Sequence, residues 1–294
     1  MSKPKIGFIG LGLMGSAMVQ RLLDLGYPMT VIAHRNRTGV EAAIERGAAE
    51  AKTAKELAAA SDIVMFCMDT SASVESRVFG DDGVLAGIRP DTVVIDFGTS
   101  LPGSTRKIAE DMAAKGAHYM DAPLGRTPSH GREGKLNIMG AGDQGIYAQV
   151  KPVLDDLGEN VFHVGPIGAG HTLKLINNFF AMTTACAMSE AFAMADLAGL
   201  PRQNLYDVMA AGPLRSGMMD FVKAEAIDGE IQLAFSVANA AKDVGYYVKM
   251  ADELDAPTQM SQCAKNLLSL AKAQGFGDRM VPEMVHYFEE LFRK

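Results

Sequence analysis

The chain has 294 residues, 48% of them apolar and 21% charged, with a formal charge of −7. That length and mixture predict a globular protein of roughly two domains. Cys67, Cys186 and Cys263 are widely spaced in apolar surroundings, which excludes a disulfide framework or zinc knuckle and suits a reducing compartment.

The six histidines show no HxxxH or HExxH spacing, so no metal site is expected. No run of Lys or Arg concentrates positive charge, so no nucleic-acid partner is expected, whereas a small anionic metabolite needs only a local basic pocket. No stretch of about 18 apolar residues occurs, and the start, Met1-Ser2-Lys3-Pro4-Lys5, lacks signal-peptide architecture. A cytoplasmic protein without a membrane partner is the expectation.

Val/Ile-rich runs at residues 5–9, 29–33, 63–68, 93–96 and 118–121 alternate with Ala-rich amphipathic segments at 14–25, 38–46, 53–59, 104–114 and 145–157. This alternation predicts an α/β Rossmann domain, a doubly wound and mostly parallel sheet with helices on both faces. Residues 137–139 and 161–164 read as further strands completing that sheet. The pattern changes after Gly165-Pro166-Ile167-Gly168-Ala169-Gly170. From residue 171 to about 197 there is no breaker, and segments at 202–211, 217–226, 237–254, 257–274 and 282–292 continue with helical periodicity only. The expected domains are residues 1–165, binding a nucleotide, and 166–294, all-helical, joined by a long helix.

Gly10, Gly12 and Gly15 fit GxGxxG between a strand and an apolar-periodic helix. The first glycine permits a tight turn, the second lets backbone approach a pyrophosphate, and the third allows close helix packing. At the end of the second strand, Val31-Ile32-Ala33-His34-Arg35-Asn36-Arg37 offers no carboxylate for free ribose hydroxyls. His34, Arg35 and Arg37 favour NADP(H), with NAD(H) the other candidate; solvated loop arginines are the bland alternative. Further on, Lys174, Asn177, Asn178 and Ala181 share one helical face within an apolar segment, where such groups are costly to bury unless paired or used. Lys174 could pass a proton to or from a substrate oxygen, with Asn178 one turn on orienting it. A solvated stripe is the competing reading.

Together these residues resemble the β-hydroxyacid dehydrogenase family along nearly the whole chain. The resemblance rests on Gly7-Phe8-Ile9-Gly10-Leu11-Gly12-Leu13-Met14-Gly15, Asp96-Phe97-Gly98-Thr99-Ser100-Leu101-Pro102, Gly168-Ala169-Gly170-His171-Thr172-Leu173-Lys174-Leu175-Ile176-Asn177-Asn178, and Lys242-Asp243. The Leu13-Met14 pair is more specific than the glycines. The resemblance implies an NAD(P)-dependent dehydrogenase, usually dimeric or tetrameric, whose catalytic lysine is Lys174. It also implies that Met68 and Thr99 contact the cofactor, that Ser100 and Asn177 contact the substrate, and that Lys242 lies near either.

Three departures stand out. Cys67-Met68-Asp69 replaces Met-Leu-Pro, Gly98 replaces a Ser, and the substrate loop Asp-Ala-Pro-Val-Ser-Gly-Gly becomes Asp121-Ala122-Pro123-Leu124-Gly125-Arg126-Thr127. Gly125, Arg126 and Thr127 are therefore expected to hold an anionic group, in a form similar to sulfolactaldehyde reductases, although Ala181 stands where those carry a Ser. Arg126 pairing with an acid of its own chain is the alternative. The expected substrate is a small hydroxyacid or semialdehyde such as sulfolactaldehyde or succinic semialdehyde, held between the domains. A 3-hydroxyisobutyrate-type dehydrogenase and a non-catalytic dinucleotide sensor remain as alternatives.

Overall fold

The computed structural model describes residues 3–33 and 36–293, and the chain divides into two compact units, Met1–Lys174 and Leu175–Lys294. In chain order the first unit runs β1 (Ile6–Ile9), α1 (Leu13–Asp24), β2 (Met29–Val31), α2 (Thr38–Glu45), β3 (Ala49–Glu50), α3 (Ala54–Ala59) and β4 (Ile63–Phe66). It continues with α4 (Ser71–Phe79), α5 (Val84–Gly87), β5 (Val93–Asp96), α6 (Pro102–Ala113), β6 (His118–Asp121), β7 (Leu124–Gly125), α7 (Pro128–Glu133), β8 (Leu136–Gly140), α8 (Gln144–Leu157) and β9 (Gly158–His163).

Strands β3-β2-β1-β4-β5-β6 form one parallel sheet in that order. Every residue of β1, β4 and β5 is buried, because helices cover both faces; such strands are continuously apolar instead of alternating. The strand order reverses direction between β1 and β4, which opens a crevice at their carboxyl ends. Side-chain caps start the flanking helices where the sequence supplies them. Thr53 accepts from Glu56 N–H, Thr70 from Ser73 N–H, and Asp143 from the Gly145 and Ile146 N–H groups.

Residues 137–139 and 161–164 do form strands, but they do not complete the main sheet. They lie in β8 and β9, which with β7 make a separate three-stranded sheet; β7 and β8 run antiparallel, β8 and β9 parallel. The burial of β8 explains the difference: Leu136, Ile138 and Gly140 are buried and the residues between them half-buried. That one-face alternation belongs to a sheet open on its other side.

In the second unit, α9 (Ala169–Leu197), which begins in the first unit, continues into α10 (Arg202–Ala210), α11 (Gly217–Asp228), α12 (Val237–Glu253), α13 (Met260–Ala271) and α14 (Met284–Phe292). Phe192, Val222, Val244, Leu268, Val285 and Phe288 are among its core residues. The helix α13 gives way to a wide turn in which Gly275 takes a left-handed φ of 95°. No helix among the described residues is long and apolar enough to cross a membrane.

The turn from β1 into α1 assigns its glycines different duties. Gly10 has φ 100°, and a Cβ there would fall 2.4 Å from the Cys67 carbonyl oxygen. A Cβ on Gly15 would fall 2.0 Å from the Gly10 carbonyl oxygen, whereas one on Gly12 would meet nothing within 4 Å. Gly15→Ala is therefore expected to cost about 1–3 kcal/mol through overpacking. Gly12→Ala should stay within about 0.5 kcal/mol of the parent. Urea midpoints of the two variants check this, and equal midpoints would contradict it.

Candidate active site

Gly10, Gly12 and Gly15 lie at the crevice between β1 and β4, where Met68 also arrives: a Cβ on Gly10 would stand 3.0 Å from its sulfur. The turn fits a dinucleotide pyrophosphate. Space is open over Gly12, α1 has no side-chain cap for its first N–H groups, and Leu13 is 80% exposed. Met14 turns inward instead, toward α7, where a Cβ on Gly131 would touch its sulfur at 3.5 Å. Burial and the Asp96 carboxylate push the Cys67 thiol up to about 12, so the wall it contributes is neutral.

His34 and Arg35 lie outside the described residues. Arg37 is described, and its guanidinium is engaged by acids. Nη1 and Nη2 donate to the two oxygens of Glu50 at 3.0 and 3.1 Å, and Nε donates to Glu41 at 3.2 Å. Glu50 reaches this position because β3 pairs with β2, opposite Val31. The fork-on-fork contact holds the Glu50 carboxyl below its usual range.

Gly125 belongs to β7, opposite Asn137 of β8. Arg126 follows with φ 75°, a left-handed backbone at a non-glycine residue. Its Nη1 donates to the Lys135 carbonyl at 2.7 Å and also meets the Glu159 carboxylate. The pairing with an acid of its own chain is thus present, through one nitrogen. The Thr127 hydroxyl bonds Ser129 Oγ and His130 Nδ1, both at 2.7 Å.

Ser100 and Thr99 follow β5, and Ser100 proves to belong to a buried polar cluster. Asp96 and Asp121 end β5 and β6 as register partners, so their side chains leave the sheet together, and both are fully buried. Asp96 accepts from Gly98 N–H at 2.8 Å, Ser100 Oγ at 2.8 Å and the Tyr119 hydroxyl at 3.4 Å. Asp121 accepts from the Gly168 and His171 N–H groups at 2.8 and 2.7 Å.

The His171 ring is also fully buried, with Nε2 3.7 Å from Asp96 and Nδ1 3.9 Å from Asp121. Thr105 donates its hydroxyl to the Leu101 carbonyl and so accepts from His171 Nδ1 at 2.7 Å. Burial raises the Asp121 carboxyl, against the opposing pull of His171 and the backbone N–H groups. The glycine at position 98 now has a cause: a Cβ there would fall 2.9 Å from Asp96 Oδ1 and 3.0 Å from the Met68 carbonyl oxygen. The sequence motifs contain Asp96, Asp121 and His171 but assign them no role of their own, and nothing in the sequence singles out Thr105. The available signal was a terminal Asp on two successive apolar strands.

Lys174, half-buried, is the last residue of the first unit. In the second unit Asn178 is buried while Asn177 is exposed. The Asn178 amide donates to Asp243 Oδ2 at 2.6 Å and accepts from Asn177 Nδ2 at 3.2 Å. Lys242 Nζ stands 3.0 Å from Asp243 Oδ1. Asp243 therefore gathers Asn178 and Lys242, residues 64 positions apart (242 − 178), and holds the Asn178 carboxamide in a fixed orientation.

Comparison with known proteins extends this reading. The NAD binding domain of 6-phosphogluconate dehydrogenase matches residues 5–165, and the NAD-binding domain of NADP-dependent 3-hydroxyisobutyrate dehydrogenase matches residues 168–288. A 2-(hydroxymethyl)glutarate dehydrogenase of Eubacterium barkeri is 30% identical over 98% of this chain and 95% of its own. A 3-hydroxyisobutyrate dehydrogenase of Mycobacterium tuberculosis, solved with L-serine, superposes with a TM-score of 0.88 at 25% identity, covering 97% of this chain and 99% of that one. The nuclear factor N-PAC of Xenopus tropicalis is 30% identical over 92% of this chain, which spans only 50% of N-PAC's length. With its Rossmann unit, open glycine turn and helical second unit, this chain belongs to the β-hydroxyacid dehydrogenase family and is an NAD(P)-dependent dehydrogenase acting on a CH–OH group.

Proposed function

We propose that the protein interconverts a short hydroxyacid and its semialdehyde, using NADP(H) in preference to NAD(H), with Lys174 as the proton donor and acceptor. The observation that carries the substrate class is Arg126. Its Nη1 is tethered by the Lys135 carbonyl and Glu159. Its Nε and Nη2 edge has the spacing for a bidentate oxyanion. Gly125 and Thr127, its neighbours in the chain, and Ser100 and Asn177 are the other proposed substrate contacts.

When bound, the nicotinamide exchanges a hydride with the substrate carbon. In the reductive direction Lys174 gives a proton to the carbonyl oxygen, and in the oxidative direction its neutral amine takes the hydroxyl proton. Asn178, its amide oriented by Asp243, steadies the same oxygen with its second N–H. Gly10, Gly12, Leu13, Gly15, Met68, Thr99 and the backbone of Met14 form the proposed cofactor surface, and Lys242 is proposed as a further cofactor or substrate contact. A remote carboxylate or sulfonate suits Arg126, which places sulfolactaldehyde, succinic semialdehyde and 2-(hydroxymethyl)glutarate ahead of 3-hydroxyisobutyrate.

We also propose a homodimer or homotetramer in the cytoplasm. The helical unit exposes Phe180, Leu214 and Met260 around an apolar pocket of about 440 Å³, a surface suited to a second copy. The three cysteines are unpaired, as a reducing compartment would keep them.

Assay of those four compounds and L-serine with both dinucleotides tests the substrate class. In Lys174→Ala, turnover of the best substrate should fall by about 10²–10⁴-fold with dinucleotide affinity kept; undiminished turnover would refute the proton-transfer role. Arg126→Ser should raise KM for anionic substrates by about 10–100-fold, the worth of a charge-assisted contact of about 1.5–3 kcal/mol. An equal loss of dinucleotide affinity would sink its substrate role.

Cofactor choice rests on Arg35 and Arg37, with Glu50 as the competitor for Arg37. Glu50→Gln should tighten NADP+ by several-fold, about 3–10, and Arg37→Ala should weaken it by a similar factor. NAD+ should change little in either. Titration calorimetry decides, and parallel changes for both dinucleotides would count against the NADP assignment.

A further inference from the structure

A helix opens with backbone N–H groups that have no partner inside it, and a Ser, Thr, Asp or Asn just before the first turn usually meets them. The approach to α9 is Pro166-Ile167-Gly168-Ala169-Gly170, which has no hydrogen-bonding side chain. The acceptor comes from the end of β6 instead. Asp121 takes the Gly168 N–H with one oxygen and the His171 N–H with the other. Gly170 permits this approach, since a Cβ there would fall 2.4 Å from the Met139 carbonyl oxygen and 2.9 Å from Asp121 Oδ2.

The same turn is fixed a second time through the His171 ring, which is held by Thr105 of α6 and fully buried beside Asp96. Lys174 is three residues beyond His171 and so is its neighbour on the next turn. A slip of one residue in that first turn would move Lys174 by about 1.5 Å along the axis and by about 100° around it. Asp121 is also the residue from which the chain enters Pro123-Leu124-Gly125-Arg126-Thr127. One carboxylate thus ties the start of the anion loop to the turn that carries the lysine.

We propose that Asp121 is a positioning residue for hydride transfer: its two bonds to the first turn of α9 set the height and rotation of Lys174 relative to the 125–127 loop. Thr105 and His171 lock the setting. The assignment rests on the reading of Lys174 as the proton-transfer group.

The test is a double-variant cycle in the full-length protein. Asp121→Asn and Thr105→Val are made in the parent and in Lys174→Ala, and kcat and KM are measured with the best compound of the panel above. Acetic anhydride labelling of Lys174 across pH, read by peptide mass, follows the lysine without substrate or cofactor. In the parent, Asp121→Asn should lower kcat by about 10–100-fold, with KM and dinucleotide affinity within about twofold. It should also move the pH profile of Lys174 labelling. In Lys174→Ala the same change should cost less than about twofold. Thr105→Val should act in the same direction and more weakly, and His171→Gln, whose amide can donate to Thr105, should retain more kcat than His171→Ala.

Equal losses in both backgrounds, or an unaltered labelling profile in Asp121→Asn, would overturn the positioning role and leave the Lys174 reading standing. If Asp121→Asn does not fold, Thr105→Val decides by the same two readouts, and unchanged values overturn the proposal. Full turnover in Lys174→Ala alone would overturn both readings, an outcome distinct from either of the others.

Discussion

Two carboxylates at the ends of adjacent parallel strands, both shut away from water, constrain the first unit around them. Unpaired buried charge costs several kcal/mol, of order, per group, and like charges in register add to that cost. Asp96 is satisfied by the loop that follows it, through Gly98 and Ser100, and Asp121 by the first turn of α9. The conformation after β5 and the placement of the first turn of α9 are therefore consequences of where those two oxygen pairs point. The buried His171 ring lies beside both, with Nε2 3.7 Å from Asp96 and Nδ1 3.9 Å from Asp121.

The glycine turn is shaped by exclusion. At Gly10 and Gly15 the backbone itself occupies the volume of a side chain, so these positions hold the strand and helix together. At Gly12 the volume belongs to nothing in the chain. The same residue type thus serves packing at two positions and leaves open space at the third, beside the exposed Leu13.

Arg37 and Arg126 follow a common pattern. Each carries a permanent charge, and each has an acid of its own chain close by. Exposed ion pairs of this kind contribute little to stability, so each pair orients its guanidinium without holding the fold together. At Arg126 the left-handed backbone adds direction, because that conformation aims the side chain as a right-handed residue would not.

The alternation of apolar runs with amphipathic segments was enough to foresee the parallel sheet, the helical second half and the glycine turn, because burial on both faces of a strand and on one face of a helix leaves different periods in the sequence. Spacing alone put Lys174 and Asn178 on one helical face. What it missed were the short strands β3 and β7, too brief to carry a period, and the separate sheet of β8 and β9, whose partners are chosen by long-range register. An acid beside Arg126 was a stated alternative, but which acids stand beside Arg37 and Arg126, the cap that Asp121 lends to α9 from β6, and the carboxylate that Asp243 lends to Asn178 were equally hidden. Each joins residues distant in the chain through a bond whose direction only the folded backbone defines. Local order is written in sequence period, whereas the pairing of charge across elements was decided by the tertiary structure.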